Sequence, residues 1–492
     1  MREFIRNHTL LCLMLLAGIW ALAFQGSRGL MEPDEGRYTN VALQILQHDD
    51  WISLYRNQDS LHFTKPPLTY WSIAASVATF GHNEWAVRLP MALAFMALVF
   101  FAYRLGRLFV PARPWLPSLF LLASPLVYLA ANTVNTDTLL AAMTTLGISC
   151  YAQYRFGGGN RRWLDAMWWA FGLAFLTKGP PGLLPLLAII VFAFWHRDGR
   201  VLLRPLGLLG FAVIGLAWYA AVILRHPGLL EYFLGHEVVA RIASNTLNRN
   251  SDWYAPFTVF GPALLLGTLP ALMAIAVYRK QAPALERPQE QTRFLWLWFL
   301  LPLGVFSLAQ SRLPLYVLGL TVPVLLLISR RLENVPFGHG AAAVMAFWLI
   351  ALLAFKGLIP LAFDNHNKNS YTFAEEIRPM LPGKPEQIIF VQDMSRNGLN
   401  LYFDADIKKV SFTPQPKPIS DSAYDSSLAE ELAKAPDRRV FIFKREIESR
   451  FLGETAKAGI TPMKLGEWLE DGRPGPRDRM LYVLPGEFPA PE

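Results

Sequence analysis

Long apolar runs occupy most of the first 363 positions, and they leave few folds open. They lie near residues 9–27, 86–109, 115–131, 138–154, 163–177, 180–195, 205–224, 256–278, 294–309, 313–329 and 340–362. A helix crossing the hydrocarbon core of a bilayer needs about 20 such residues. Inside lipid only helices and closed barrels satisfy their own backbone, and continuous runs rather than strict alternation select helices. Charged residues make up 17% of the chain, against roughly 25% in an ordinary soluble domain. Cys12 and Cys150 both sit inside apolar runs, so no disulfide framework or cysteine metal cluster is available. Disorder and collagen-like repeats are excluded. A polytopic α-helical membrane protein with about 11–13 transmembrane helices is expected.

Basic residues orient the spans, because short cytoplasmic loops are enriched in Lys and Arg. With the N-terminus inside, the inner loops hold Arg104, Arg107, Arg113, Arg155, Arg161, Arg162, Arg197, Arg200, Arg204, Arg279, Lys280, Arg287, Arg293, Arg330 and Arg331. The short outer loops hold only Lys178, Arg225, Arg241, Arg249 and Arg312. Topology thus accounts for most of the net charge of +8, and nucleic-acid binding loses its support. The first run follows Arg2 and Arg6 and ends in Ala21-Leu22-Ala23, a pattern that a signal peptidase could cut. With a polytopic chain behind it, it reads as an uncleaved anchor.

Two outer segments are longer. Residues 28–85 begin with Met31-Glu32-Pro33-Asp34-Glu35-Gly36-Arg37-Tyr38, continue through an amphipathic stretch from Thr39 to Gln47, and include Phe63-Thr64-Lys65-Pro66-Pro67. Residues 225–255 carry His236, Glu237 and Arg241. Beyond residue 363 the pattern changes. Strand-like runs at 387–391, 410–412, 439–443 and 480–484 alternate with helical patterns at 373–380, 426–435 and 447–458. That alternation predicts a membrane domain over 1–363 and a soluble α/β domain over 364–492, on the outer face.

Asp34, Glu35, Arg37, Lys65, Asp137, Lys178, His236, Glu237, Arg241 and Arg312 all fall at outer helix ends or in outer loops, so they can converge on one cavity. Ionisable groups at membrane depth are costly and by default mark function. Each has a plainer reading. Asp137, in Asn135-Thr136-Asp137-Thr138, has the position of a helix N-cap. Lys178, in Thr177-Lys178-Gly179-Pro180-Pro181, has that of a snorkelling residue at a helix end. Asp34 and Glu35 could be solvated loop charges. Together, carboxylates opposite several cations suit a phosphate ligand and a base or metal-binding carboxylate.

At these residues the chain resembles the lipid A aminoarabinose transferase family. These are integral-membrane glycosyltransferases of the GT-C fold, related to the protein O-mannosyltransferases, that use an undecaprenyl-phosphate-linked sugar. The likeness is carried by Asp34-Glu35-x-Arg37-Tyr38, Asp50-Trp51, Phe63-x-Lys65-Pro66-Pro67 with Tyr70-Trp71, Asn135-x-Asp137, Thr177-Lys178-Gly179, Arg241, and Leu313-Pro314-x-Tyr316. It covers residues 30–325 in order; the C-terminal domain matches only in placement. The resemblance implies Asp34 as the first-loop carboxylate at the reaction centre, beside Glu35. It implies Arg37 and Lys65 as phosphate-contacting cations, and Asp137 and Lys178 as further cavity positions. Arg241 and Tyr316 match residues near the carrier phosphate, and Tyr38 and Arg312 are counted with the substrate-binding set.

The implied partners are an undecaprenyl-phosphate sugar donor, a lipid A-like or other periplasmic acceptor, and the bilayer itself. The implied location is a bacterial inner membrane, with the N-terminus cytoplasmic and the C-terminal domain periplasmic. Two departures stand out. The family has Glu where this chain has Thr64, and Glu-His where this chain reads His236-Glu237. A divalent metal on His236, Glu237 and Asp34 is conceivable, but the usual ligand set is changed. Transfer to protein Ser or Thr is not separated from a lipid acceptor by any sequence feature. Two other readings are a non-catalytic relative that binds polyprenyl phosphate, which Thr64 favours, and a secondary transporter. The last needs inverted repeats and charges at mid-span, and the halves of this chain do not match.

Overall fold

The computed structural model describes residues 8–235, 250–281, 289–363, 367–416, 418–420, 422–470 and 475–488. It divides into two units. One comprises Met1–Gln25, Lys65–Thr69 and Arg88–Gly357; the other comprises Gly26–Thr64, Tyr70–Val87 and Leu358–Glu492. The last segment of the second unit begins at Leu358. The first long loop, however, clusters with the C-terminal residues rather than with the membrane helices.

The first unit is helical. Its elements include α1 (Thr9–Leu22), most of α4 (Glu84–Phe109), α5 (Leu116–Leu122), α6 (Pro125–Ala131), α7 (Thr136–Phe156), α8 (Arg162–Lys178), α9 (Leu184–Trp195), α10 (Pro205–Arg225), α11 (Gly261–Tyr278), α12 (Gln289–Leu308), α13 (Thr321–Leu332) and most of α14 (His339–Phe363). Six helical spans among the described residues are long and apolar enough to cross a membrane: Glu84–Phe109, Pro205–Arg225, Pro256–Tyr278, Gln289–Leu308, Pro314–Leu332 and His339–Leu361.

The run at 115–131, read as one span, is two helices. Pro125 has no N–H to give and disfavours helical geometry at the residue before it. Ser124 accordingly leaves the helix and caps α6, its side chain accepting from the Val127 N–H at 3.3 Å. Close packing elsewhere relies on small residues, as helix pairs in lipid commonly do. Where α8 meets α10, a Cβ on Gly215 would lie 3.2 Å from the Gly172 Cα. The same pair is tied by Arg204, which donates to both Asp165 oxygens at 3.1 and 2.7 Å.

Among its described residues the second unit holds α2 (Asp34–His48), most of α3 (Leu68–Phe80), a six-stranded sheet, four further short α-helices and two 3₁₀ turns. The strands are β1 (Gln387–Val391), β2 (Asp406–Ser411), β3 (Ser426–Ser427), β4 (Arg439–Lys444), β5 (Met463–Trp468) and β6 (Arg479–Val483), in spatial order β3-β2-β1-β4-β6-β5. The first four are parallel, and β6 and β5 continue antiparallel. Parallel strands covered on both faces read as unbroken apolar runs. Ile388 and Phe390 enter one core with Phe373, Ile442 and Trp468. Ile389 and Val391 enter the other with Phe441, Phe443 and Phe451. The helices are α15 (Ser370–Ile377), α16 (Leu399–Phe403), α17 (Leu428–Leu432) and α18 (Glu448–Lys457).

Three details differ from the expected pattern. Leu68–Phe80 is a helix within the segment read as loop. β5 was not expected, because Met463 to Gly466 are exposed or half-buried and carry little apolar signal. Ser426–Ser427 is a strand rather than the start of a helix.

Packing explains why α2 belongs here. Its expected amphipathic stretch buries polar groups as well as apolar ones. Buried Asn40 accepts from Asn400 Nδ2 at 2.8 Å and buried Gln44 donates to Asp406 at 3.3 Å, while exposed Gln47 donates to Asn400 Oδ1 at 3.1 Å. Farther along the loop, Lys408 pairs with Asp59 at 2.8 Å and Arg56 pairs with Asp425.

Candidate active site

In the first unit the sequence motifs around Asp137 and Lys178 come together. Asn135, not Asp137, caps α7: its Oδ1 accepts from the Thr138 N–H at 2.8 Å, while its Nδ2 donates to the Ala130 carbonyl. Asp137 is therefore left in the first turn with its carboxylate free for another partner. That partner is Lys178, the last residue of α8, whose Nζ donates to Asp137 Oδ1 at 2.5 Å. Both charges are well placed relative to their helices, an anion at an N-terminus and a cation at a C-terminus. Gly179 at φ +69° then turns the chain into Pro180-Pro181, a backbone conformation that glycine adopts without strain.

Tyr316, in the 3₁₀ turn Pro314–Leu320, lies against the same lysine, with Nζ 4.3 Å from its ring centroid. Asp137 and Tyr316 border a narrow crevice of about 30 Å³ whose other walls are mostly apolar, among them Pro181, Trp298 and Phe306. Lys178 and Asp137 are mostly buried. Such a site offers a cation, fixed by a carboxylate, beside a narrow apolar crevice, and a lysine so held suits a phosphate group.

In the second unit the two adjacent acids of Asp34-Glu35 have opposite fates. Glu35 is buried and takes both Arg28 nitrogens at 2.6 and 3.0 Å, along with the Met31 N–H at 3.0 Å. Its role is to pin the entry of α2. Asp34, the first residue of α2, is 63% exposed and pairs with Arg37 at 2.6 Å. Arg37 also lies over the ring of Tyr38, which is buried against Tyr70. Of the two carboxylates, Asp34 is the one that solvent or a substrate can reach.

Sequence reasoning passed over Glu32. It is fully buried, accepting from the Gly398 N–H at 2.6 Å and the Ser370 hydroxyl at 2.8 Å. Burial pushes its carboxyl up to about 7, against the pull of those hydrogen bonds and of Arg396 and Arg37. Nothing in the Met31–Glu35 stretch distinguishes it from its neighbours; only its contacts with residues more than 300 positions away do.

Arg312 is buried and braces backbone. It donates to the carbonyls of Asn250, Asp252 and Ser307 at 2.8–2.9 Å, and Asn250 donates back to its carbonyl. Lys65 is half-buried and belongs to the first unit. Thr64, where a glutamate was expected from the resemblance, shares a hydrogen bond with His62 at 2.8 Å. Among the described residues no three His, Cys, Asp or Glu side chains cluster as a metal site. His236, Glu237 and Arg241 lie outside the described residues.

The sequence is 31% identical, over 384 residues, to the undecaprenyl phosphate-α-4-amino-4-deoxy-L-arabinose arabinosyl transferase of Pseudomonas aeruginosa (strain UCBPP-PA14). The match covers 74% of this chain and 67% of that one. The chain belongs to this transferase family. A second family member, from Pseudomonas fluorescens (strain Pf-5), is 29% identical over 400 residues, covering 78% and 69% of the two chains. Residues 64–224 match the family model described as dolichyl-phosphate-mannose-protein mannosyltransferase. The crystal structure of ArnT from Cupriavidus metallidurans bound to undecaprenyl phosphate superposes with a TM-score of 0.76 at 18% identity. That match covers 99% of this chain and 100% of the other. The GT-C fold and the glycosyltransferase class expected from the arabinosyl transferase motifs are both borne out.

Proposed function

We propose that this glycosyltransferase moves 4-amino-4-deoxy-L-arabinose, or a closely similar sugar, from undecaprenyl phosphate to lipid A or another acceptor at the periplasmic face of a bacterial inner membrane. The N-terminus is then cytoplasmic and the C-terminal domain periplasmic, as the loop charges favour. The observation that carries the reading is Lys178, held by Asp137 and Tyr316 beside an apolar crevice. The names of the relatives point to the same donor.

Transfer inverts the anomeric centre. An acceptor oxygen attacks C1 of the sugar, the bond from C1 to the carrier phosphate oxygen breaks, and undecaprenyl phosphate leaves with the electron pair. Lys178 neutralises the charge that grows on the departing phosphate, which lowers the barrier. A phosphate acceptor is already anionic and needs no base. A hydroxyl acceptor gives its proton to Asp34, the exposed carboxylate of the first loop. A lipid acceptor such as lipid A is preferred over protein Ser or Thr because relatives that match most of the chain are named arabinosyl transferases, not protein mannosyltransferases.

The test is transfer of radiolabelled sugar from defined undecaprenyl-phosphate sugars in membranes, with wild type beside Lys178→Ala. Label reaching a lipid acceptor in wild type, and falling steeply in the variant, supports the proposal. Label reaching protein instead refutes the lipid acceptor, and undiminished transfer by the variant removes Lys178 from the reaction.

A further inference from the structure

Between α5, α11 and α14 the first unit holds a cavity of about 850 Å³ that the proposed reaction does not use. Its walls are apolar, with Leu119, Met273, Ala274 and Val344 among them. At one end three segments meet: Arg113 before α5, Tyr278 at the close of α11 and Phe337 ahead of α14. The Phe337 ring lies edge-on to Tyr278 at 5.1 Å and 4.8 Å from the Arg113 guanidinium. Arg113 Nη1 is buried and has no hydrogen-bond partner among the described residues. Exposed Arg279 and Lys280 follow directly after Tyr278.

Here a half-buried guanidinium closes one end of an apolar slot, in a chain built for the bilayer. Basic pockets between transmembrane helices are suited to anionic lipid headgroups. A slot walled by three helices is also broader than one isoprenoid thread requires. We propose that this cavity binds one anionic diacyl phospholipid, its phosphate on Arg113 and its chains along Met273, Ala274 and Val344. The site is separate from the residues assigned to sugar transfer, so it stands or falls independently of them.

The full chain, purified in detergent and stripped of lipid, is titrated with phosphatidylglycerol and with phosphatidylcholine of the same chains, and bound lipid is counted by native mass spectrometry. One phosphatidylglycerol should be retained at about fivefold lower concentration than phosphatidylcholine, the weight of one basic residue on an anionic headgroup. Arg113→Gln should erase that preference and Arg113→Lys should keep most of it. Ala274→Phe, which fills the slot without touching the charge, should abolish retention of both lipids. Equal retention of the two lipids by wild type overturns the proposal, as does a preference that survives Arg113→Gln or lipid still retained by Ala274→Phe. Displacement of phosphatidylglycerol by equimolar undecaprenyl phosphate overturns it as well, by giving the cavity to an isoprenoid.

Discussion

The Glu32 carboxyl accepts a hydrogen bond from the Gly398 backbone N–H at 2.6 Å, joining the residue two before Asp34 to the loop that follows β1. Glycine is required on the helix side of this contact, since a Cβ on Gly36 would lie 2.2 Å from Glu32 Oε1. The carboxyl is raised from 4.5 to about 7, with Ser370, Arg396 and Arg37 as its other polar neighbours. A raised folded-state value means the neutral acid is the form the fold prefers. Its stabilising contribution is complete below pH 4.5 and is lost as pH rises through 7, by roughly 3 kcal/mol. Glu32→Gln mimics the neutral acid. Thermal unfolding between pH 5 and 8 should therefore show a decline in wild type that is absent from the variant, with the variant the more stable of the two at pH 8. Parallel curves would show that Glu32 does not titrate there.

Asp34 and Glu35, adjacent in sequence, should respond in opposite ways. Asp34→Asn, at a 63% exposed position, should leave the unfolding temperature unchanged. With a hydroxyl acceptor it should lower transfer by about a hundredfold or more. Glu35→Ala removes a buried carboxylate and its bidentate pairing with Arg28 and should cost on the order of 3 kcal/mol of stability. Measuring both properties on both variants separates chemistry from architecture; equal loss of stability in the two would contradict the assignment.

For Asp137 and Lys178, the informative quantity is the coupling. Either alanine variant breaks the ion pair and leaves one of its charges at a mostly buried site, whereas the double variant removes both. The double should be more stable than the sum of the single losses by about 0.5–3 kcal/mol, as contacting pairs usually are. Lys178→Ala should also raise KM for the polyprenyl-phosphate donor. Additive stabilities in a double-mutant cycle would show that the 2.5 Å contact carries no net interaction.

Arg312 serves to separate bracing from binding. Its nitrogens converge on three backbone carbonyls, a fork that an ammonium group cannot reproduce. Arg312→Lys should lower stability by about 2 kcal/mol and leave donor KM unchanged. A raised KM with unaltered unfolding would return Arg312 to the carrier-binding set.

The membrane class was legible because twenty-residue apolar runs have few other uses. Asp34, Asp137 and Lys178 stood out because ionisable groups beside such runs are rare, whereas Tyr316 was singled out only by the family resemblance. β1 and β4 were visible as unbroken apolar runs, whereas β5 was hidden by its exposure. The break at Ser124 could have been read from Pro125; the capping of α7 by Asn135 rather than Asp137 could not, since all the residues of Asn135-Thr136-Asp137 favour caps.

Local composition thus determined that the chain forms membrane helices followed by an α/β domain, because helix length and strand burial are written in runs of neighbouring residues. Tertiary structure decided which of Glu32, Asp34 and Glu35 is buried, which is paired and which is reachable. It also placed the first loop in one unit with the C-terminal sheet. Those outcomes depend on Gly398, Ser370, Asn400 and Asp425, which lie hundreds of positions away, and burial and pairing are properties of neighbours in space.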